Sequence, residues 1–137
     1  MRSFGGRSSL EDVYAKIAGS DALVHPAVHE AFGQACLEAL VLGVPVICLD
    51  WAGPGIIVND ASGLKVVPGD REETIGRLGD AMKRLAGGST RPSAESCVER
   101  ALEEFSWAKL ADEISKKYRE ILPDSLEGGE EATGETS

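Results

Sequence analysis

From Val44 to Leu49 the chain reads Val-Pro-Val-Ile-Cys-Leu, six positions without one polar side chain. A strand with one wet face alternates apolar and polar residues, so a run like this one calls for a strand covered on both faces, the situation of parallel sheets flanked by helices. Two shorter apolar runs, Ala22 to His25 and Leu64 to Val67, read as further strands. The segments between them have helical period. Leu10, Val13, Tyr14 and Ile17 share a face before Gly19, and Ile75, Leu78, Met82 and Leu85 form one stripe of a helix from Arg71 to Leu85 that ends at Gly87-Gly88. Ser8-Ser9-Leu10-Glu11 has the pattern of a capping box opening the first helix, with Phe4-Gly5-Gly6 as a strand end or turn before it. Helices are also expected from Gly33 to Leu42, from about Ser93 to Glu104 and from Trp107 to Leu122, with a helical turn over Ile56 to Asn59. The alternation predicts an α/β fold, an open parallel Rossmann-like sheet with flanking helices.

Size and charge narrow the functions available. A chain of 137 residues suffices for one core but not for two lobes facing a cleft. The net charge of -9 and the pI near 4.7 argue against a nucleic-acid footprint. Much of that charge lies in residues 123 to 137, where Asp124, Glu127, Glu130, Glu131 and Glu135 have no basic neighbour, and this segment reads as an acidic disordered tail beside a domain over 1 to 122. Cys36, Cys48 and Cys97 are odd in number and show no paired spacing, as expected of small buried hydrophobes in a reducing compartment. His25 and His29 stand four apart, but Pro26 breaks the helix that would aim both at a metal, so no metal site is expected. The longest apolar stretch, Ala35 to Leu49, is interrupted by Glu38, Gly43 and Pro45, which predicts no transmembrane segment and a cytoplasmic protein, at most peripheral to a membrane.

The chemistry concentrates between residues 26 and 42. Ligands of open parallel sheets sit beyond the carboxyl ends of strands, where loops enter helices. Here the amides of Phe32, Gly33 and Gln34 are expected as unpaired donors of a helix start, favouring an anion such as phosphate. Glu38 lies inside an almost wholly apolar helix, where a carboxylate costs several kcal/mol to desolvate unless something donates to it, and ligand hydroxyls are natural donors. Gln34, four residues earlier, extends the polar stripe along the same face. Glu30 precedes the helix, positioned to grip sugar hydroxyls. Ala52-Gly53-Pro54-Gly55 offers a second loop able to cradle the ligand from the opposite side. Trp51 and Trp107 both read as packing residues, Trp107 locking the last helix to the sheet.

Taken together, Pro26, the run Glu30-Ala31-Phe32-Gly33-Gln34-Ala35-Cys36-Leu37-Glu38-Ala39-Leu40, Gly43-Val44-Pro45-Val46 and Gly53-Pro54 resemble the C-terminal donor-binding domain of GT-B glycosyltransferases. The closest type is family 4, also called glycosyl transferases group 1. Asp60 to Asp70 and Phe105-Ser106-Trp107 fit the same pattern, and the likeness runs from Phe4 to about Leu122. The resemblance implies retaining, metal-independent transfer of a sugar from a nucleotide-diphosphate donor, which would be substrate rather than cofactor. It implies that Glu30 contacts the donor sugar as the catalytic-site carboxylate. Phe32, Gly33 and Gln34 would offer amides to sugar and diphosphate, Glu38 would hold the ribose, and Gly53 would line the donor site.

Two departures follow from the same resemblance. The acceptor-binding N-terminal lobe is missing, as is the Arg and Lys pair that normally meets the diphosphate, so this chain alone is expected to be inactive without that lobe or a partner chain. Ala27 stands where a serine is usual, and Cys36 where another small or β-branched residue is. The alternative reading is a non-catalytic nucleotide- or phosphate-binding module that regulates a partner; a third is a remnant that binds nothing.

Overall fold

The computed structural model describes residues 9–88 and 90–122. The expected turn at Phe4-Gly5-Gly6, the part played by Ser8 and the acidic tail lie outside them. Within them the order is α1 (Leu10–Ala18), β1 (Leu23–His25), α2 (Gln34–Val41), β2 (Val46–Leu49), α3 (Ala52–Ile57), β3 (Gly63–Val66), α4 (Arg71–Ala86), α5 (Ala94–Phe105) and α6 (Trp107–Ile121). The strands form one parallel sheet in the order β1-β2-β3, with Leu23 opposite Val46 and Val46 opposite Gly63.

The apolar run that demands two covered faces is the central strand, and all four residues of β2 are buried. Its side chains alternate between two cores, as the period of a strand dictates. Val46 and Cys48 face a layer built from Cys36, Ala39 and Leu40 of α2 and Cys97 and Ala101 of α5. Ile47 and Leu49 face Val66 of β3 and Ala81 and Leu85 of α4. The expected Rossmann-like open parallel sheet with flanking helices is therefore the architecture.

Helix starts are set by side-chain caps. Ser9 caps α1 in a box whose acidic partner is Asp12, with Ser9 Oγ accepting from the Asp12 amide at 3.1 Å. Asp70, Ser93 and Ser106 cap α4, α5 and α6 in the same manner. α2 has no side-chain cap, because Gly33 occupies the cap position with φ 89°. That left-handed backbone is strained for any residue with a Cβ. The chain thus enters α2 by a sharp turn that leaves its first amides without a serine or aspartate of the cap residue itself.

Three expectations fail. The Ala52-Gly53-Pro54-Gly55 segment is not an open loop, since Ala52–Ile57 winds into a short helix. Trp107 does not lock α6 to the sheet: it is 84% exposed, and α6 buries no residue. Trp51 is likewise 59% exposed at the cap of α3 rather than packed. Both tryptophans sit at helix starts and leave most of their surface uncovered among the described residues.

Candidate functional site

β1 ends at His25, and the chain then runs from Pro26 to Gly33 across the carboxyl edge of the sheet before α2 begins. β2 ends beside it, and the α3 turn packs directly on this segment. Gly53 is buried with its Cα so close to Phe32 that an added Cβ would meet the Phe32 carbonyl oxygen at 1.9 Å. A Cβ on Gly33 would in turn fall 2.9 Å from Pro54 Cγ. Gly53, expected to cradle a ligand, therefore faces the Phe32 backbone and sets the position of the helix entry. Between it and Trp51, Ala52 takes φ 49°, a conformation costing about 1 kcal/mol in a residue with a side chain.

The helix start differs from expectation in one respect. The amides of Phe32 and Gly33 are not open, because Glu30 Oε1 accepts both, at 3.3 and 2.9 Å. Glu30 performs the capping that Gly33 cannot, three residues from the amide that it serves best. Those two bonds, Gly33 first and Phe32 second, hold its carboxyl below the usual glutamate value of 4.5. The third expected amide, that of Gln34, donates to no group among the described residues. Glu30 Oε2 points toward His25, with Nε2 at 3.9 Å.

Glu38 is half-buried on α2, one turn beyond Gln34. Its Oε1 accepts from Gln34 Nε2 at 3.0 Å and from the Tyr14 hydroxyl at 3.5 Å. The polar stripe expected of Gln34 and Glu38 is real, and the chain supplies part of the donor set that the sequence assigned to a ligand. Oε2 accepts no bond among the described residues. Beside Gln34 and Glu38 opens a cleft of about 540 Å³ whose wall includes Tyr14, Phe32, Phe105 and Trp107. Phe32 and Trp107 are 51% and 84% exposed, so aromatic faces are presented to whatever enters. Sequence reading missed Tyr14 and Phe105 as members of this site and assigned Trp107 to packing. Only the fold brings α1, α2 and the α5–α6 junction to one cleft.

The site residues thus fall into two groups. Glu30, Phe32, Gly33 and Gly53 form a tight knot at the helix entry, while Gln34 and Glu38 face the aromatic cleft. Lys65, which sequence reading passed over, braces the α3 turn, its Nζ 3.2 Å from Asp50 Oδ1 and 3.1 Å from the Gly55 carbonyl oxygen. Arg100 on α5 ties down the other end of α3 by donating to the carbonyl oxygens of Ile57 and Ile56 at 2.9 and 2.7 Å.

The family model of the glycosyl transferases group 1 matches residues 2–103, which include this whole edge of the sheet. The chain belongs to that family. Among similar proteins, a D-inositol 3-phosphate glycosyltransferase of Rhodococcus erythropolis is 35% identical over 112 residues, covering 80% of this chain and 24% of the relative. A sucrose synthase of Acidithiobacillus caldus is 32% identical over 110 residues, 75% of this chain and 14% of the relative. An alpha-maltose-1-phosphate synthase of Mycolicibacterium smegmatis is 30% identical over 110 residues, 77% and 28%. This group 1 glycosyltransferase chain therefore spans less than a third of the length of these relatives. Among its described residues no helix is long and apolar enough to cross a membrane.

Proposed function

We propose that this chain forms the nucleotide-sugar-binding part of a retaining, metal-independent glycosyltransferase. The observation that carries the reading is Glu38: a half-buried carboxylate lining an aromatic-walled cleft, with one oxygen bonded inside the chain and the other without a partner among the described residues. A ribose presents two adjacent hydroxyls, donors matched to a carboxylate oxygen, and a base finds stacking surfaces in exposed rings. The diphosphate then lies toward the α2 start, where the Gln34 amide is open and the helix dipole favours negative charge. Phe32 and Gly33 would add their amides once Glu30 turns from them to a sugar hydroxyl.

In the transfer step the bond from the anomeric carbon to the diphosphate oxygen breaks, a bond to the acceptor oxygen forms on the same face, and the acceptor's hydroxyl proton passes to the departing diphosphate oxygen. Negative charge grows on the departing diphosphate, and fixed amides aimed at it lower the barrier. The acceptor and the cations that complete this stabilisation belong to a lobe or partner chain, so on its own the chain binds a donor without turning it over.

The test is calorimetry with UDP-, GDP- and ADP-sugars on the native chain and on Glu38→Ala. Loss of a hydrogen bond to a charged group, about 1.5 to 3 kcal/mol, raises Kd roughly 10- to 100-fold, with a much smaller proportional change in melting temperature. Equal loss of binding and stability defeats the assignment of Glu38. In a turnover assay run beside it the chain alone is expected to release no nucleoside diphosphate; release would mark a transferase, whereas binding without release fits a nucleotide-binding module as well.

A further inference from the structure

His25 is the last residue of β1, with its side chain 17% exposed and its Cα paired in register with Cys48 of the central strand. Its Nε2 is buried and has no hydrogen-bond partner, alone in this among the buried side-chain nitrogens and oxygens of the described residues. An orphaned buried polar atom is costly and calls for an explanation. The nearest anionic group is Glu30, whose Oε2 lies 3.9 Å away, too far for a hydrogen bond, while Oε1 of the same carboxylate is engaged by the Phe32 and Gly33 amides.

We propose that His25 is a positioning residue that offers Glu30 a second seat: when donor oxygens take the Phe32 and Gly33 amides and Oε1 turns to a sugar hydroxyl, Oε2 closes on His25 Nε2. Two observations that are separate puzzles become one device. The amides that a donor would need are occupied by the chain's own carboxylate, and a donor group with no partner waits beside it. A shift of about 1 Å brings Oε2 within hydrogen-bond range of Nε2, provided that nitrogen carries the proton. Without the seat, a bound donor would take two hydrogen bonds from Glu30 and leave its Oε2, in a side chain 34% exposed, with no protein donor in return, which weakens binding. No bond is made or broken covalently; one hydrogen-bonded arrangement replaces another.

The inference rests on the donor-binding reading above, and its test separates the two. Calorimetry with UDP-, ADP- and GDP-glucose is run on the native chain, on His25→Leu and on His25→Gln. His25→Leu is expected to raise Kd about fivefold or more, while His25→Gln, which keeps a side-chain N–H of similar reach, stays within about twofold. The melting temperature of His25→Leu is expected to stay level or rise, because an orphaned polar atom is replaced by an apolar group. A merely structural histidine would show the reverse, with stability lost and affinity kept. Selective ¹⁵N labelling of histidine gives an independent readout: the His25 Nε2 signal should move on saturation with the nucleotide sugar and not move in Glu30→Ala, which has no side-chain acceptor. If His25→Leu binds as the native chain does, or if the native Nε2 signal is unmoved at saturation, the second seat is overturned and donor binding stands. If the native chain binds none of the three nucleotide sugars, the donor-binding reading falls and the seat falls with it. Should His25→Leu fail to fold, the ¹⁵N signal of the native chain decides.

Discussion

Glu30 shows how one carboxylate is committed by its surroundings. Its pKa is lowered by the Gly33 and Phe32 amides, so the clamp it forms is fully present above the usual glutamate value of 4.5 and is lost as the pH falls through its lowered folded value. Acid titration followed by amide resonances should show Phe32 and Gly33 moving together below pH 4.5, with a midpoint under that value. A midpoint above it would mean the carboxylate is not held. Glycines separate in the same concrete way. At Gly53 a methyl group would strike the Phe32 carbonyl, whereas at Gly79 it would meet nothing within 4 Å. Gly53→Ala is therefore expected to cost about 2 kcal/mol or more by denaturant unfolding, and Gly79→Ala, in the interior of α4, to add about 0.5 to 1 kcal/mol. Sequence alone singled out Glu30, Gln34, Glu38 and the glycines as candidates, since each departs from what an apolar helix or an ordinary turn would contain. It did not show that Glu30 and the Phe32 and Gly33 amides satisfy one another, because a loop carboxylate folding back on its own helix start leaves no spacing signature distinct from one facing a ligand.

The strands and helices were legible to within a residue or two wherever apolar period and punctuation agreed. α4 and α5 run one residue past the expected ends, and α2 is shorter at both ends because Gly33 and Leu42 are its caps. α3 was misjudged for a definite reason: Gly53, Pro54 and Gly55 all signal turns, while tertiary contacts invisible in sequence, Lys65 to the Gly55 carbonyl oxygen and Arg100 to those of Ile56 and Ile57, help hold the segment in a helical turn. α6 was expected as a helix, yet its apolar residues Trp107, Leu110, Ile114, Tyr118 and Ile121 are all exposed. Amphipathic period reports a face suited to burial, and it says nothing about whether the covering surface belongs to the same stretch of chain. Ser9→Ala should weaken α1 by about 0.5 to 2 kcal/mol, read as faster amide exchange over Leu10–Ala18, because the Asp12 amide then loses its acceptor.

Across the molecule, order is densest at β2 and thins outward. The three thiols mark that centre: Cys36 and Cys48 are fully buried and their pKa values are pushed up by burial to about 12 and about 11, with Cys97 raised for the same cause. Thiolate is the reactive form, so all three should resist alkylation at pH 8 in the native state and react at once in denaturant. Fast labelling of Cys36 without denaturant would show that α2 opens locally, which would also disperse the site it carries. The close seat of Phe32 on Gly53 has a last consequence, for how such a protein can change. Two loops that leave different strands share one van der Waals surface with no side chain between them, so neither can lengthen or shift alone. Inherited variation at the helix entry has to be matched across that contact, and a second change compensating for Gly53→Ala is to be sought between Glu30 and Gly33 rather than elsewhere along the chain.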